Sequence, residues 1–245
     1  MARTRLDEAL VARGLYATRS RARDAILRGA VFIDGLAARK PAQTISPAAA
    51  ITLEDSAKRY VSRAALKLLH AIDLFNLSPH GKACLDIGAS TGGFTQVLLE
   101  RGASTVTAID VGHSQLHGML NGHPRLRLIE GLNARDLTLE HLVQPPEFIT
   151  ADVSFISLTL ALPPALAMAA PSAVLVALIK PQFEAGRAAL DGQGIVRDPA
   201  IHTEACQTIA RFLETRGWQV VGTIPSPVDG SDGNREFLIT AAKPA

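Results

Sequence analysis

Two lysines and two carboxylates, far apart in the chain, fall beside the ends of segments that read as strands of one sheet: Lys67, Asp152, Lys180 and Glu236. Asp152 closes the run Phe148-Ile-Thr-Ala-Asp152, and Lys180 closes Ala173-Val-Leu-Val-Ala-Leu-Ile-Lys180. Glu236 opens a late strand, and Lys67 precedes the first. Ligands of an open α/β sheet bind beyond the carboxyl ends of its strands, so these side chains can share one crevice. Such a set can take a proton from a hydroxyl while carboxylates orient and balance the ammonium groups. Singly, each has an ordinary structural reading. A lysine at a strand end caps a surface, Asp152 before Val-Ser is a turn acid, Glu236 pairs with Arg235, and Lys67 is a solvated helix residue. Only their joint occurrence points to chemistry.

The elements that must position them follow a strand, turn, helix order. Ala83-Cys-Leu-Asp86-Ile87 is a buried-strand pattern, followed by Gly88-Ala89-Ser90-Thr91-Gly92-Gly93-Phe94 and the apolar run Val97-Leu-Leu99. Glycines let a backbone approach a ligand closely, and the next helix presents free N–H groups. Val106-Thr-Ala-Ile-Asp110 then ends on an acid about 20 residues past the turn, placed to accept from ribose hydroxyls. The glycine spacing differs from a dinucleotide fingerprint, Asp86 ends the first strand, and several acids approach the crevice. That setting suits a cationic sulfonium better than an anionic pyrophosphate, which makes S-adenosylmethionine the expected cofactor. Further strands are expected at Leu126–Ile129, Phe148–Asp152, Ala173–Lys180, Gln219–Ile224 and Glu236–Ala241. The fold class is thus α/β, a Rossmann-like seven-stranded sheet closed by an antiparallel pair.

The net charge of +2 conceals an asymmetry. Residues 1–40 hold nine Arg or Lys against four acids, which leaves −3 for the remaining 205. A basic terminal segment on a nearly neutral body suits a polyanion. Leu6, Ala9 and Leu10 before Gly14, and Ala22, Ala25 and Ile26 before Gly29, predict two short helices. Val31–Gly35 and Ile51–Leu53 predict paired strands, with Lys40–Pro47 as loop. Arg19 and Arg23 share a helix face, as do Arg21 and Arg28, and nearby acids are too few to neutralise them. The expected organisation is a polyanion-binding module over 1–58, a linker over 59–65 and the sheet domain over 66–245. No run of about 18 uncharged apolar residues occurs and the first residues lack an apolar centre, so a cytoplasmic protein is expected. Cys84 and Cys206 read as free thiols, and the seven histidines form no ligand cluster, so no metal is expected.

Arg5-Leu6-Asp7, Arg13-Gly14-Leu15, Ser20-Arg21, Ala25-Ile26, Gly29-Ala-Val31, Asp34-Gly35 and Lys40-Pro41 resemble an S4 RNA-binding domain, a small αL module. The resemblance implies RNA phosphate contacts, which we assign to Arg5, Arg19, Arg21 and Arg23. Downstream, the four ionisable residues resemble the Lys-Asp-Lys-Glu tetrad of FtsJ-like ribose 2′-O-methyltransferases. Arg59-Tyr-Val-Ser-Arg63, Asp86 to Phe94, Asp152-Val-Ser-Phe-Ile-Ser157, Ile179-Lys-Pro-Gln-Phe-Glu184 and Gly233-Asn-Arg-Glu-Phe237 resemble, more narrowly, the TlyA/hemolysin A family. That resemblance implies methylation of cytidine in 16S or 23S ribosomal RNA, or both. It implies Lys180 for hydroxyl activation and Lys67, Asp152 and Glu236 for placement. Cofactor contacts would be Asp86, Gly88, Ala89, Ser90, Thr91, Gly92, Gly93 and Phe94, with Asp110 on the ribose and Asn133 near the adenine. One departure is Ala64-Ala65, where relatives carry glycine, which stiffens a helix running into Lys67. The alternatives are a membrane-active hemolysin and a non-catalytic ribosome-associated RNA-binding protein.

Overall fold

The computed structural model describes residues 3–230 and 232–245, which divide into two compact units, 1–59 and 60–245. In the first unit, β1 (Thr4–Arg5) leads into α1 (Leu6–Ala12), and α2 (Arg19–Leu27) is capped by the Thr18 hydroxyl on the Arg21 amide. β2 (Val31–Ile33) turns through Asp34 and Gly35, at φ 49° and 82°, into β3 (Leu36–Ala37). Two consecutive residues in left-handed conformation are what a tight hairpin demands. β5 (Ile51–Leu53) pairs with β2 as expected. The stretch read as loop from Lys40 to Pro47 contains β4 (Thr44–Ile45), which pairs with β1. Two-residue strands leave no alternation to read. Leu6, Leu10, Ala22, Ile26 and Val31 form the core of this unit.

The second unit opens with α3 (Ala64–Leu74), so Ala64 and Ala65 form its first turn. Tyr60, Val61 and Ala65, within the segment read as a linker, are buried against Leu68 and Ile72. Next come β6 (Ala83–Ile87), α4 (Gly93–Glu100), β7 (Thr105–Asp110), β8 (Leu126–Glu130) and β9 (Phe148–Ala151). Two short helices, α5 (Leu158–Ala161) and α6 (Pro163–Met168), lead to β10 (Val174–Ile179) and α7 (Pro181–Glu184). α8 (Pro199–Glu214), capped by Asp198, precedes β11 (Gln219–Pro225) and β12 (Phe237–Ala242). The seven strands are ordered β11-β12-β10-β9-β6-β7-β8, with β12 antiparallel to both of its neighbours.

Period-two alternation divides the central strands between two apolar layers. Leu85, Ile87, Ile149, Leu175 and Ile179 face α5, α6 and α8, while Cys84, Phe148, Val176 and Leu178 face α3 and α4. This burial on both faces explains why the central strands read as continuous apolar runs. It also fixes which polar residues face α4, namely those with the parity of Cys84 and Phe148.

Candidate active site

Each tetrad residue lies just off a regular element's end or on a helix beside it. Asp152 follows β9 and Lys180 follows β10, while Glu236 precedes β12 and Lys67 is on α3. Ile179 pairs with Phe237 across the antiparallel seam, which puts Lys180 and Glu236 on adjacent chain ends. The Asp152 amide donates to the Ile87 carbonyl at 2.9 Å, holding Asp152 over the end of β6. Gly88 makes that placement steric as well. At φ 81°, a Cβ there would stand 2.4 Å from the Asp152 carbonyl oxygen.

The four side chains line one cleft of about 300 Å³ together with Gly88, Ala89, Ser90, Thr91, Gly93 and Phe94. They are two ion pairs. Lys67 Nζ donates to Glu236 Oε2 at 2.5 Å, and Lys180 Nζ meets Asp152 Oδ1 at 2.7 Å and donates to Ser154 Oγ at 2.8 Å. Lys67 and Glu236 are buried, which replaces the readings of a solvated helix lysine and of a Glu236–Arg235 pair. Burial pushes the Glu236 carboxyl above its ordinary value, against the pull of Lys67 and then Lys180.

The cofactor residues expected from the sequence separate into two groups. The backbone from Gly88 to Thr91, with Gly93 and Phe94, forms cleft wall. Gly93 is there because α4 abuts α3: a Cβ would lie 2.2 Å from Ser62 Oγ. Asp86, by contrast, is fully buried. Its Oδ2 accepts from Thr95 at 2.6 Å and its Oδ1 from Thr150 at 2.9 Å. It ties β6 to α4 and β9 and does not line the cleft, because its strand parity points it at α4. Desolvation raises its carboxyl to about 6, opposed by the Thr95 and Thr150 hydrogen bonds. Asp110 accepts from the amides of Ser90 (2.8 Å) and Gly112 (2.7 Å), and so shapes the turn at Ser90, which sits at φ 47°. Asn133 Oδ1 accepts from the Arg135 amide at 3.0 Å. Gly92, Asp110 and Asn133 lie off the cleft wall.

Family models decide the affiliation. Residues 60–243 match the FtsJ-like methyltransferase model, and residues 4–51 match the S4 domain model. The chain belongs to the FtsJ-like methyltransferase family. It is 44% identical over 238 residues to the 16S/23S rRNA (cytidine-2′-O)-methyltransferase TlyA of Mycobacterium tuberculosis, covering 97% of this chain and 89% of that one. It is also 40% identical to hemolysin A of Brachyspira hyodysenteriae, covering 96% and 98%. Among solved structures, a candidate hemolysin of Streptococcus thermophilus superposes with a TM-score of 0.76 at 40% identity, covering all of this chain and 90% of the other.

In the S4 unit of this methyltransferase the arginines are less free than their sequence spacing implies. Asp7 accepts from Arg5 Nε and Nη2, both at 3.0 Å, and from Arg19 Nη2 at 3.1 Å. Glu8 pairs with both arginines, and Arg28 pairs with Asp55 at 2.9 Å. The Arg5 contact holds the Asp7 carboxyl down at about 2, aided by Arg19 and opposed by desolvation. The expectation of too few acidic neighbours is thus corrected: folding brings Asp7 and Glu8 of α1 against Arg19 of α2, and Asp55 against Arg28. Arg23, Arg39 and Lys40 remain exposed.

Some cleft residues carried no assignment from the sequence. Ser62, Arg63 and Ala64 line it from the start of α3, and Val228 and Asp229 from the segment before β12. Ser154 contacts Lys180 directly. Beside it, Phe155 is 91% exposed at φ 64°, with its ring centroid 5.2 Å from that of Phe183. An exposed aromatic in left-handed conformation is the signal that marks this segment, and only coordinates reveal it.

Proposed function

We propose that this chain transfers a methyl group from S-adenosylmethionine to the ribose 2′-hydroxyl of a cytidine in 16S or 23S ribosomal RNA, or both. The observation that carries the reading is the convergence of two lysine–carboxylate pairs on one cleft floored by a glycine turn. Relatives named as ribosomal RNA cytidine 2′-O-methyltransferases support it at 44% identity over nearly the whole chain.

The residues present suit the cofactor. Gly88 closes the turn against the Asp152 backbone, where a Cβ would collide, Asp110 anchors the Ser90 amide of that turn, and Asp229 on the cleft wall offers negative charge to a sulfonium. Bound S-adenosylmethionine supplies an electrophilic methyl on a cationic sulfur. Lys180 accepts the 2′-hydroxyl proton as the methyl group passes from sulfur to oxygen. Asp152, at 2.7 Å, then stabilises the resulting ammonium. Lys67, fixed by Glu236, holds the nucleotide. Placement of the hydroxyl in near-attack geometry can supply up to about 7 to 11 kcal/mol. Arg5, Arg19, Arg21 and Arg23 contribute RNA phosphate contacts, with the first and third arginines of that set on different elements of the S4 unit. The exposed ring of Phe155 offers a surface on which an unstacked base can lie.

Among the described residues no helix is long and apolar enough to cross a membrane. A cytoplasmic location follows from the proposed substrate. Lys180→Ala is expected to keep S-adenosylmethionine affinity in calorimetry and to lose radiolabelled methyl transfer to unmodified ribosomal subunits. Full transfer by that variant would overturn the role of Lys180. Absence of transfer by the wild-type chain to either subunit would overturn the activity itself.

A further inference from the structure

The cleft is assembled from two halves whose backbone pairing stops short of the chemistry. β9 and β10 pair in parallel only as far as Ala151 and Ala177. Beyond that point Asp152 is anchored to β6 through the Ile87 carbonyl, whereas β10 continues to Ile179 paired with β12. The segments carrying the two partners, Asp152–Ser157 and Lys180–Glu184, are joined beyond the ladder by side chains. One joint is the Lys180 contact itself with Asp152 and Ser154. A second is the Phe155–Phe183 ring pair. The third is Glu184, whose Oε2 accepts from Ser157 Oγ at 2.5 Å and whose Oε1 accepts from the Leu158 amide at 2.9 Å.

We infer that Glu184 is a positioning residue for methyl transfer: through Ser157 and Leu158 it sets the distance between Lys180 and its partners Asp152 and Ser154. Three residues separate Lys180 from Glu184 along α7, and four separate Asp152 from Ser157, so the carboxylate closes a small ring around the Lys180 contacts. Loss of the carboxylate leaves the Leu158 amide without its acceptor and lets the Asp152 segment relax away from β10. Glu184 is partly buried, and its carboxyl is raised by desolvation against the Leu158 and Ser157 hydrogen bonds, so it is a polar group spent on joining two loops rather than on solvent. A glutamine can keep both joints, accepting from Leu158 and donating to Ser157. Alanine can keep neither.

The inference rests on the methyltransferase reading, and the experiment separates the two. Single-turnover methyl transfer to ribosomal subunits is measured for the full chain, with S-adenosylmethionine and RNA affinities measured separately. Glu184→Ala is expected to lower the transfer rate about 100-fold, as a displacement of about 1 Å does, at unchanged affinities. Glu184→Gln restores most of it. In an Asp152→Asn background, Glu184→Ala adds little further loss, because both changes act on one contact. A wild-type chain that transfers no methyl group overturns the activity, and the inference with it. A transferring wild type with Glu184→Ala within threefold of it overturns the positioning role alone, as does Glu184→Gln no better than Glu184→Ala. Ser157→Ala removes one arm only and serves if Glu184→Ala fails to fold; a wild-type transfer rate in that variant also overturns the proposal.

Discussion

Asp86 offers a test of buried electrostatics that is independent of substrate. Its carboxylate has no exposure, two threonine hydroxyls as partners, and an affinity for its proton raised from 3.8 to about 6 by desolvation. The folded state therefore holds this proton more tightly than the unfolded chain. The stability linked to it is fully present below about pH 4 and is lost as pH rises through about 6. At about 1.4 kcal/mol for each tenfold change, that loss is about 3 kcal/mol by pH 7. Asp86→Asn removes the titration while keeping the shape. Turning one threonine hydroxyl to accept from the amide adds an offset that is constant across pH. Urea unfolding followed by the buried Trp218, 3% exposed within the same unit, reports the difference. The variant should gain about 3 kcal/mol relative to wild type between pH 4 and pH 7, then run parallel to it. A flat difference across that range, or one that grows in favour of wild type, would refute the reasoning.

Gly88→Ala places a methyl group 2.4 Å from the Asp152 carbonyl at φ 81°, so Asp152 must shift by about 1 Å. Methyl transfer should fall about 100-fold at saturating cofactor, and transfer within threefold of wild type would mean that Asp152 tolerates displacement. Removing one member of the buried Lys67–Glu236 pair, as in Lys67→Met, should cost about 3 to 5 kcal/mol in denaturant unfolding by stranding a carboxylate. Lys67→Met combined with Glu236→Leu should recover most of that stability and none of the transfer; additive losses would show that the two residues do not act as a pair. In the S4 unit, Asp7 is held down at about 2, so its contribution is present above about pH 4 and lost as pH falls through about 2. Hydrogen exchange of residues 4–53 should show Asp7→Asn weakening the wild type's protection at pH 6 more than at pH 3, and equal effects at both would exclude the Arg5–Asp7 linkage.

The seven strands were legible because burial on both faces imposes uninterrupted apolar runs such as Val174–Ile179, and the glycine turn because Gly88 needs φ 81° against a neighbouring backbone. The tetrad residues were legible by family resemblance and by their place at strand ends. Two-residue strands such as β1 and β4 left no periodicity to detect. What residue types could not reveal was pairing. Lys67 chooses Glu236, 169 positions away, because β12 is antiparallel to β10, and Asp86 turns from the cleft to α4 because of its strand parity. Arg19 finds Asp7 only once α1 and α2 lie together. The sequence by itself determined the fold class, the family and the ionisable residues that the fold gathers in one cleft. Tertiary structure alone decided which charge faces which, since contact energies fall with separation in space and the chain's order carries no such distances.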